Sequence, residues 1–255
     1  SGKALVRSLR AASRHKLVLA VKSNRFQENP LNRIGTPKGL RSRDALIDET
    51  LARAGVLRVN DTDEMFHCVD ALRRQRESFG PRLAVVANGR GPAILALDRL
   101  LQDGGTLASL SDETRTHLRG LLPEYVKTDN PLLLNPELQP QQLAAVANTL
   151  LADKQVDALL VIYIPGLGTD ALANAQALVK VAKNFNKSVI TSWIGEFSVE
   201  TSRDFFDEQG LPTFDTPDNA ITAYMYMVRH QLTQELLKET PESLEIPISN
   251  AYMDV

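Results

Sequence analysis

Three short glycine-bearing stretches carry the residues of this 255-residue chain whose types and spacing could do chemistry. ANGRGPA, residues 87–93, places Asn88, Gly89, Arg90 and Gly91 directly ahead of a helical pattern. Free backbone N–H groups and the positive end of a helix dipole there could hold an anion. IPGLGTDA, residues 164–171, repeats the arrangement with Pro165 and Gly166, and offers Thr169 and Asp170 as helix caps. SWIGEFS, residues 192–198, adds Trp193 and Glu196. Neither GxGxxG nor GxxxxGK[ST] is complete in any of them, and each loop taken alone reads first as a tight turn. The chemistry they suggest together is recognition of a phosphate or carboxylate.

Little else in the chain is chemically suggestive. There is one cysteine, Cys68, without a partner for a disulfide and without metal-ligand spacing around it. It lies in DEMFHCVDAL at a position fitting the apolar side of a helix, where cysteine packs as a small hydrophobe. His15, His67, His117 and His230 are scattered, His15 before a strand and the other three within helices, so structural roles are expected and no metal site is predicted. A net charge of −2 gives no nucleic-acid footprint. The longest apolar run, 158–165, is too short to span a bilayer, and the N-terminus lacks the order of a signal peptide. A cytoplasmic protein is expected.

The elements that must position the loops follow from hydrophobic patterning. RLAVVAN, VDALLVIYI and KSVITSW are continuous apolar runs, each followed by a glycine-bearing loop and an amphipathic stretch. Strands of that kind belong to a parallel sheet covered by helices on both faces, which predicts an α/β doubly wound domain. Ahead of it, helices are predicted over 3–13, 43–54 and 62–76, with KLVLAVKS and GVLRV as strands. Asp61 is a good N-cap for the third of these helices, with Glu64 following it. Further helices are expected over 111–122, 141–153 and 217–238, with a Pro-punctuated loop, TDNPLLLNPELQP, between the first two. The segment 239–255 has no clear period and reads as linker.

The order KLVLAVKSNR, DALIDETLARAGVLRV, RLAVVANGRGPAILALD, TDNPLLL, VDALLVIYIP, TSWIGE and FDTPDNAITAY resembles the NDP-forming acyl-CoA synthetases over about residues 3–239. The resemblance implies that 1–78 is the later part of a histidine-bearing CoA-ligase domain and 79–238 a CoA-ligase flavodoxin-like domain. A CoA-binding domain and an ATP-grasp domain of the same natural protein are its implied partners. The family passes a phosphoryl group through a histidine in a loop resembling SHTGALAGSD. Here GTPKGLRSRD stands in that place, and the expected histidine falls at Thr36 or Pro37. Proline has no nucleophilic side chain, and no base neighbours the threonine in sequence. The family's NAGGPG loop reads NGRGPA here, with Arg90 in place of a small residue.

A branch of the family without this histidine is fused to a GNAT domain in bacterial protein lysine acetyltransferases, which the chain resembles in LRAASRHKLVLAVKS, ARAGVLRVNDTDEMF and TPDNAITAYMYMV. That resemblance implies an inactive, regulatory or acyl-CoA-sensing region with no required cofactor, whose ligand would be acetyl-CoA or a nucleotide phosphate. No GNAT acetyl-CoA loop occurs within the 255 residues. Two alternatives stand beside this reading: part of an active ADP-forming acetyl-CoA synthetase, and an assembly domain without a ligand.

Overall fold

A computed structural model describes residues 2–21, 44–74 and 80–238. Two parallel sheets organise them. The smaller pairs β1 (Leu19–Val21) with β2 (Leu57–Val59), accompanied by helices α1 (Gly2–Ser13), α2 (Asp44–Arg53) and α3 (Thr62–Arg73). Asp61 caps α3 by accepting from the Glu64 N–H at 2.8 Å, the cap that the sequence suggests.

The larger sheet is built on β3 (Arg82–Ala87), β6 (Ala158–Tyr163) and β7 (Ser188–Trp193), with every residue of the last two buried. Three two-residue strands complete it: β4 (Thr106–Leu107), β5 (Leu132–Leu133) and β8 (Thr213–Phe214). The order is β4-β3-β6-β7-β8, all parallel, with β5 also on the β4 side of β3. Counted from β3 with β5 set aside, this is the 2-1-3-4-5 order of flavodoxin-like folds. Between β4 and β5 the Asn130 side chain stands in for missing strand, accepting from the Val85 N–H at 2.9 Å and donating to the carbonyls of Leu83 (2.8 Å) and Ala108 (2.9 Å).

Alternate residues of the central strands enter two separate cores. Val86, Val161, Tyr163 and Trp193 meet α5 (Asp112–Leu121), α6 (Pro140–Ala152), α7 (Ala171–Ala182) and α8 (Glu200–Gln209). Val85, Leu160, Ile162 and Ile190 meet α4 (Arg90–Gln102) and α9 (Pro217–Lys238) on the other face. Two buried faces explain why these strands read as unbroken apolar runs. Helix α9 also joins the smaller sheet to the larger: its Tyr226 packs with Leu57, Val59 and Cys68. The Tyr226 hydroxyl donates to Glu64, which also accepts from the Asn60 N–H at 2.9 Å. Among the described residues no helix is long and apolar enough to cross a membrane.

Candidate functional site at the topological switch point

From β3 the chain moves outward to β4 and β5, then returns across β3 to β6, so the strand order reverses between β3 and β6. In open α/β sheets, ligands occupy the crevice outside the carboxyl ends of the strands at such a point. The loops after β3 and β6 are the glycine-bearing stretches 87–93 and 164–171, and the fold brings them together.

Asn88 is the joint. Its side-chain Oδ1 accepts from the Ile164 N–H at 2.7 Å, and its Nδ2 donates to the Ile164 carbonyl at 2.8 Å and to the Pro136 carbonyl at 3.3 Å. The residue is 3% exposed. The Asn88 side chain holds three loops in register, and its own backbone N–H donates to the Ile162 carbonyl at 3.3 Å. The close fit extends to two glycines. A Cβ on Gly89 would meet Ile164 Cδ1 at 2.5 Å, and one on Gly166 would meet the Pro136 carbonyl oxygen at 2.9 Å.

Helix α4 opens into this crevice with Gly89 as N-cap, no side-chain cap and no acidic residue in its first turn. The N–H groups of Arg90 and Gly91 are the orphan donors of that first turn, since Pro92 has none. Among the described residues nothing lies within 4 Å of a Cβ built on Gly91, so this turn is open to them, and the Arg90 side chain is exposed. Electrostatically the arrangement favours an anion: a helix N-terminus with a guanidinium at its first position.

The β6–α7 loop is folded mainly on itself. Thr169 Oγ1 accepts from the Gly166 N–H and from the buried Tyr163 hydroxyl, both at 2.9 Å. Asp170 caps α7 by accepting from the Ala173 N–H at 2.9 Å. Gly166 and Thr169 thus shape the rim instead of presenting free donors, and Pro165 is half-buried beside them. The third loop stands further along the edge. Trp193 is 0% exposed, stacked on Tyr163 at 4.9 Å and edge-on to Phe206 at 4.7 Å, so it is a core residue and lines no crevice. Glu196 is exposed.

Sequence reasoning passed over two supports. Pro136, inside the Pro-punctuated segment, closes the crevice from the β5 side through its carbonyl, a role with no side-chain signature. Arg203 on α8 donates to the carbonyls of Trp193 (2.6 Å) and Gly195 (2.9 Å) and pairs with Asp215 at 2.7 Å, bracing the third loop.

No histidine occurs in these loops. His67 lies edge-on to Phe214 at 5.6 Å, His15 and His117 are exposed, and burial lowers the pKa of His230 on α9. Burial pushes the Cys68 thiol up to about 12, so it packs as a hydrophobe. Among the described residues no group of three or more histidine, cysteine or carboxylate side chains could hold a metal. Thr36 and Pro37, and the linker 239–255, lie outside the described residues.

Residues 1–72 match the family model described as the succinyl-CoA ligase like flavodoxin domain. The chain is 24% identical over 232 residues to the alpha subunit of the ADP-forming acetate–CoA ligase II of Pyrococcus furiosus, covering 89% of this chain and 50% of that protein. It is 24% identical over 252 residues to the ADP-forming acetate–CoA ligase of Methanocaldococcus jannaschii, covering 92% of this chain and 36% of that one. Among solved structures, the dinucleotide forming acetyl-coenzyme A synthetase 1 of Ca. Korarchaeum cryptofilum in its apo form superposes with a TM-score of 0.82 at 19% identity, over 92% of this chain and 51% of that chain. Its complex with phosphate and ADP gives 0.81 at 20% identity, again over 92% and 51%. The chain spans about a third to a half of the length of the curated relatives it matches. The chain is thus similar to ADP-forming acyl-CoA ligases over part of their length, and shares the fold of the matched solved structures.

Proposed function

We propose that this chain is the acyl-CoA-synthetase-like region of a larger protein, that its switch-point crevice takes the phosphate of acetyl-CoA or of a nucleotide, and that it carries no phosphoryl group on histidine. The observation that carries the reading is the Asn88 joint. It sets the first turn of α4, whose Arg90 and Gly91 N–H groups have no hydrogen-bond partner among the described residues, at the place where the strand order reverses. Arg90 and Gly91 bind the anion there; Gly89 permits the close approach of the loops; Gly166, Thr169 and Pro165 form the opposite rim. No cofactor is required for that role.

The larger protein in this reading supplies CoA-binding and ATP-grasp domains and a GNAT domain, and the chain serves as the regulatory, acyl-CoA-sensing part of a cytoplasmic protein lysine acetyltransferase. In domain terms, 1–78 derives from the histidine-bearing CoA-ligase domain, 79–238 from the flavodoxin-like domain, and 239–255 links onward. The residues Thr36 and Pro37 support it, because neither can replace a phosphorylated histidine. The names of the curated relatives favour a second reading, part of an active ADP-forming acetyl-CoA synthetase. A domain that only assembles with others, without a ligand, is the third.

Thermal unfolding of the chain with acetyl-CoA, ADP and inorganic phosphate separates these readings. A ligand that binds only the folded state raises the midpoint with concentration. A rise with at least one of them supports the anion site, and no rise with any leaves the assembly role. An acid-labile phosphoryl group on any histidine, sought by mass spectrometry under alkaline conditions after treatment with acetyl phosphate, would establish the active-synthetase reading instead.

A further inference from the structure

The carboxyl edge of the sheet continues past the first turn of α4 onto the loops after β6 and β7. Leu167 on the β6–α7 loop is 97% exposed and Phe197 on the β7–α8 loop is 83% exposed. Tyr163 and Trp193 are register partners on adjacent strands, and each apolar side chain stands four residues beyond its partner. Single exposed apolar residues need no explanation, but two of this size at matching places after neighbouring strands present apolar surface at the same end of the sheet. The loop bearing Phe197 is not slack, because the Arg203 guanidinium ties it at the carbonyls of Trp193 and Gly195.

Among the described residues, the exposed charged side chains of these loops are acidic. Asp170, Glu196, Glu200 and Asp215 are all exposed, and each lies in or directly beside the loops after β6, β7 and β8. The connecting residues 164–170, 194–200 and 215–216 contain no lysine, arginine or histidine. Arg203, which reaches this region from α8, spends its charge on Asp215. A polyanion is repelled from this half of the edge, whereas a cationic chain is drawn to it.

We infer that Leu167 and Phe197, on loops whose exposed charged side chains are carboxylates, dock a polypeptide segment that carries lysine or arginine around apolar side chains. The apolar side chains of the segment cover Leu167 and Phe197, and its cations face Asp170, Glu196 and Glu200. Charge complementarity selects this occupant over an acyl-CoA, a nucleotide or a membrane of anionic lipid. The inference does not rest on anion binding at α4, although the β6–α7 loop that bears Leu167 and Asp170 is also the far rim of that crevice.

The test is fluorescence anisotropy of a short labelled amphipathic peptide of lysine and leucine, titrated with the intact chain. An acidic peptide with the same leucine pattern serves as control. The expected result is saturable binding of the basic peptide alone, weakened about tenfold or more by Leu167→Ser with Phe197→Ser and by Glu196→Lys, and weakened again on raising salt to about 0.3 M. Both serine substitutions replace exposed side chains, so the variant folds as the parent does, which circular dichroism checks. No binding of the basic peptide, or equal binding by the variants, overturns the inference. So does sedimentation showing that the parent self-associates and the serine variant does not, which would assign the patch to a second copy of this chain.

Discussion

Asn88 and Ile164 exchange two hydrogen bonds, the Ile164 N–H donating to Oδ1 at 2.7 Å and Nδ2 donating to the Ile164 carbonyl at 2.8 Å. A side chain on the loop after one strand thus completes a backbone pairing on the loop after its neighbour. The N–H and carbonyl it serves have no strand partner at that height, because β3 and β6 end at Ala87 and Tyr163.

Replacing Asn88 with alanine leaves both Ile164 groups without that partner in a part-buried site, at a cost of about 2–4 kcal/mol. Denaturant unfolding is expected to show that loss. Any anion affinity of the chain is expected to fall with it, since the open turn of α4 loses its fixed distance to the β6 loop.

Arg90→Gly decides how the guanidinium acts. The expected outcome in calorimetry with phosphate, ADP and acetyl-CoA is weaker binding, because the dipole at the start of α4 favours an anion and disfavours a cation resting there. Tighter binding would show that Arg90 occupies and closes the site, and no change that it points only into solvent.

Much of this was legible in the sequence. The three apolar runs that become β3, β6 and β7 announce themselves because both faces of each strand are buried, and the following loops could be placed at the carboxyl edge from that alone. Strands β4, β5 and β8 were not, since two residues display no period and the Asn130 side chain replaces part of the ladder. Asn88 and Trp193 were expected at the site for their chemistry. One is occupied in holding loops and the other in the core, which depends on side-chain direction that residue type does not disclose. Pro136 contributes through its carbonyl, which every residue possesses.

Trp193 therefore behaves as a packing residue. Trp193→Ala is expected to cost about 3–5 kcal/mol in denaturant unfolding, through lost contacts with Tyr163 and Phe206. Trp193→Phe, which keeps an aromatic ring there, is expected to leave phosphate binding within twofold of the parent. A large, selective loss of binding in that milder variant would return Trp193 to the site.

The acid limb of stability has a named contributor. The Arg82 guanidinium, bonded to Asp157 at 2.6 and 2.9 Å, holds that carboxylate below its usual pKa against the effect of burial. With the folded pKa depressed, the stabilisation is fully present above the unfolded value of about 3.9 and is lost as pH falls through the folded one. Asp157→Asn is expected to lower stability at neutral pH and to flatten its fall below about pH 4. Because Arg82 is half exposed, the ion pair itself supplies no more than about 1 kcal/mol. An unchanged acid slope in the variant would assign the limb to other carboxylates, Glu64 and Asp153 among them.

An amide NMR titration of the chain with inorganic phosphate tests the anion site at the start of α4 most directly. Saturable shifts are expected that are largest at Arg90 and Gly91, with smaller ones across the crevice at Ile164 and Gly166, and they disappear in Asn88→Ala. Saturable shifts centred away from the first turn of α4, or no saturable shift at all, would contradict that site.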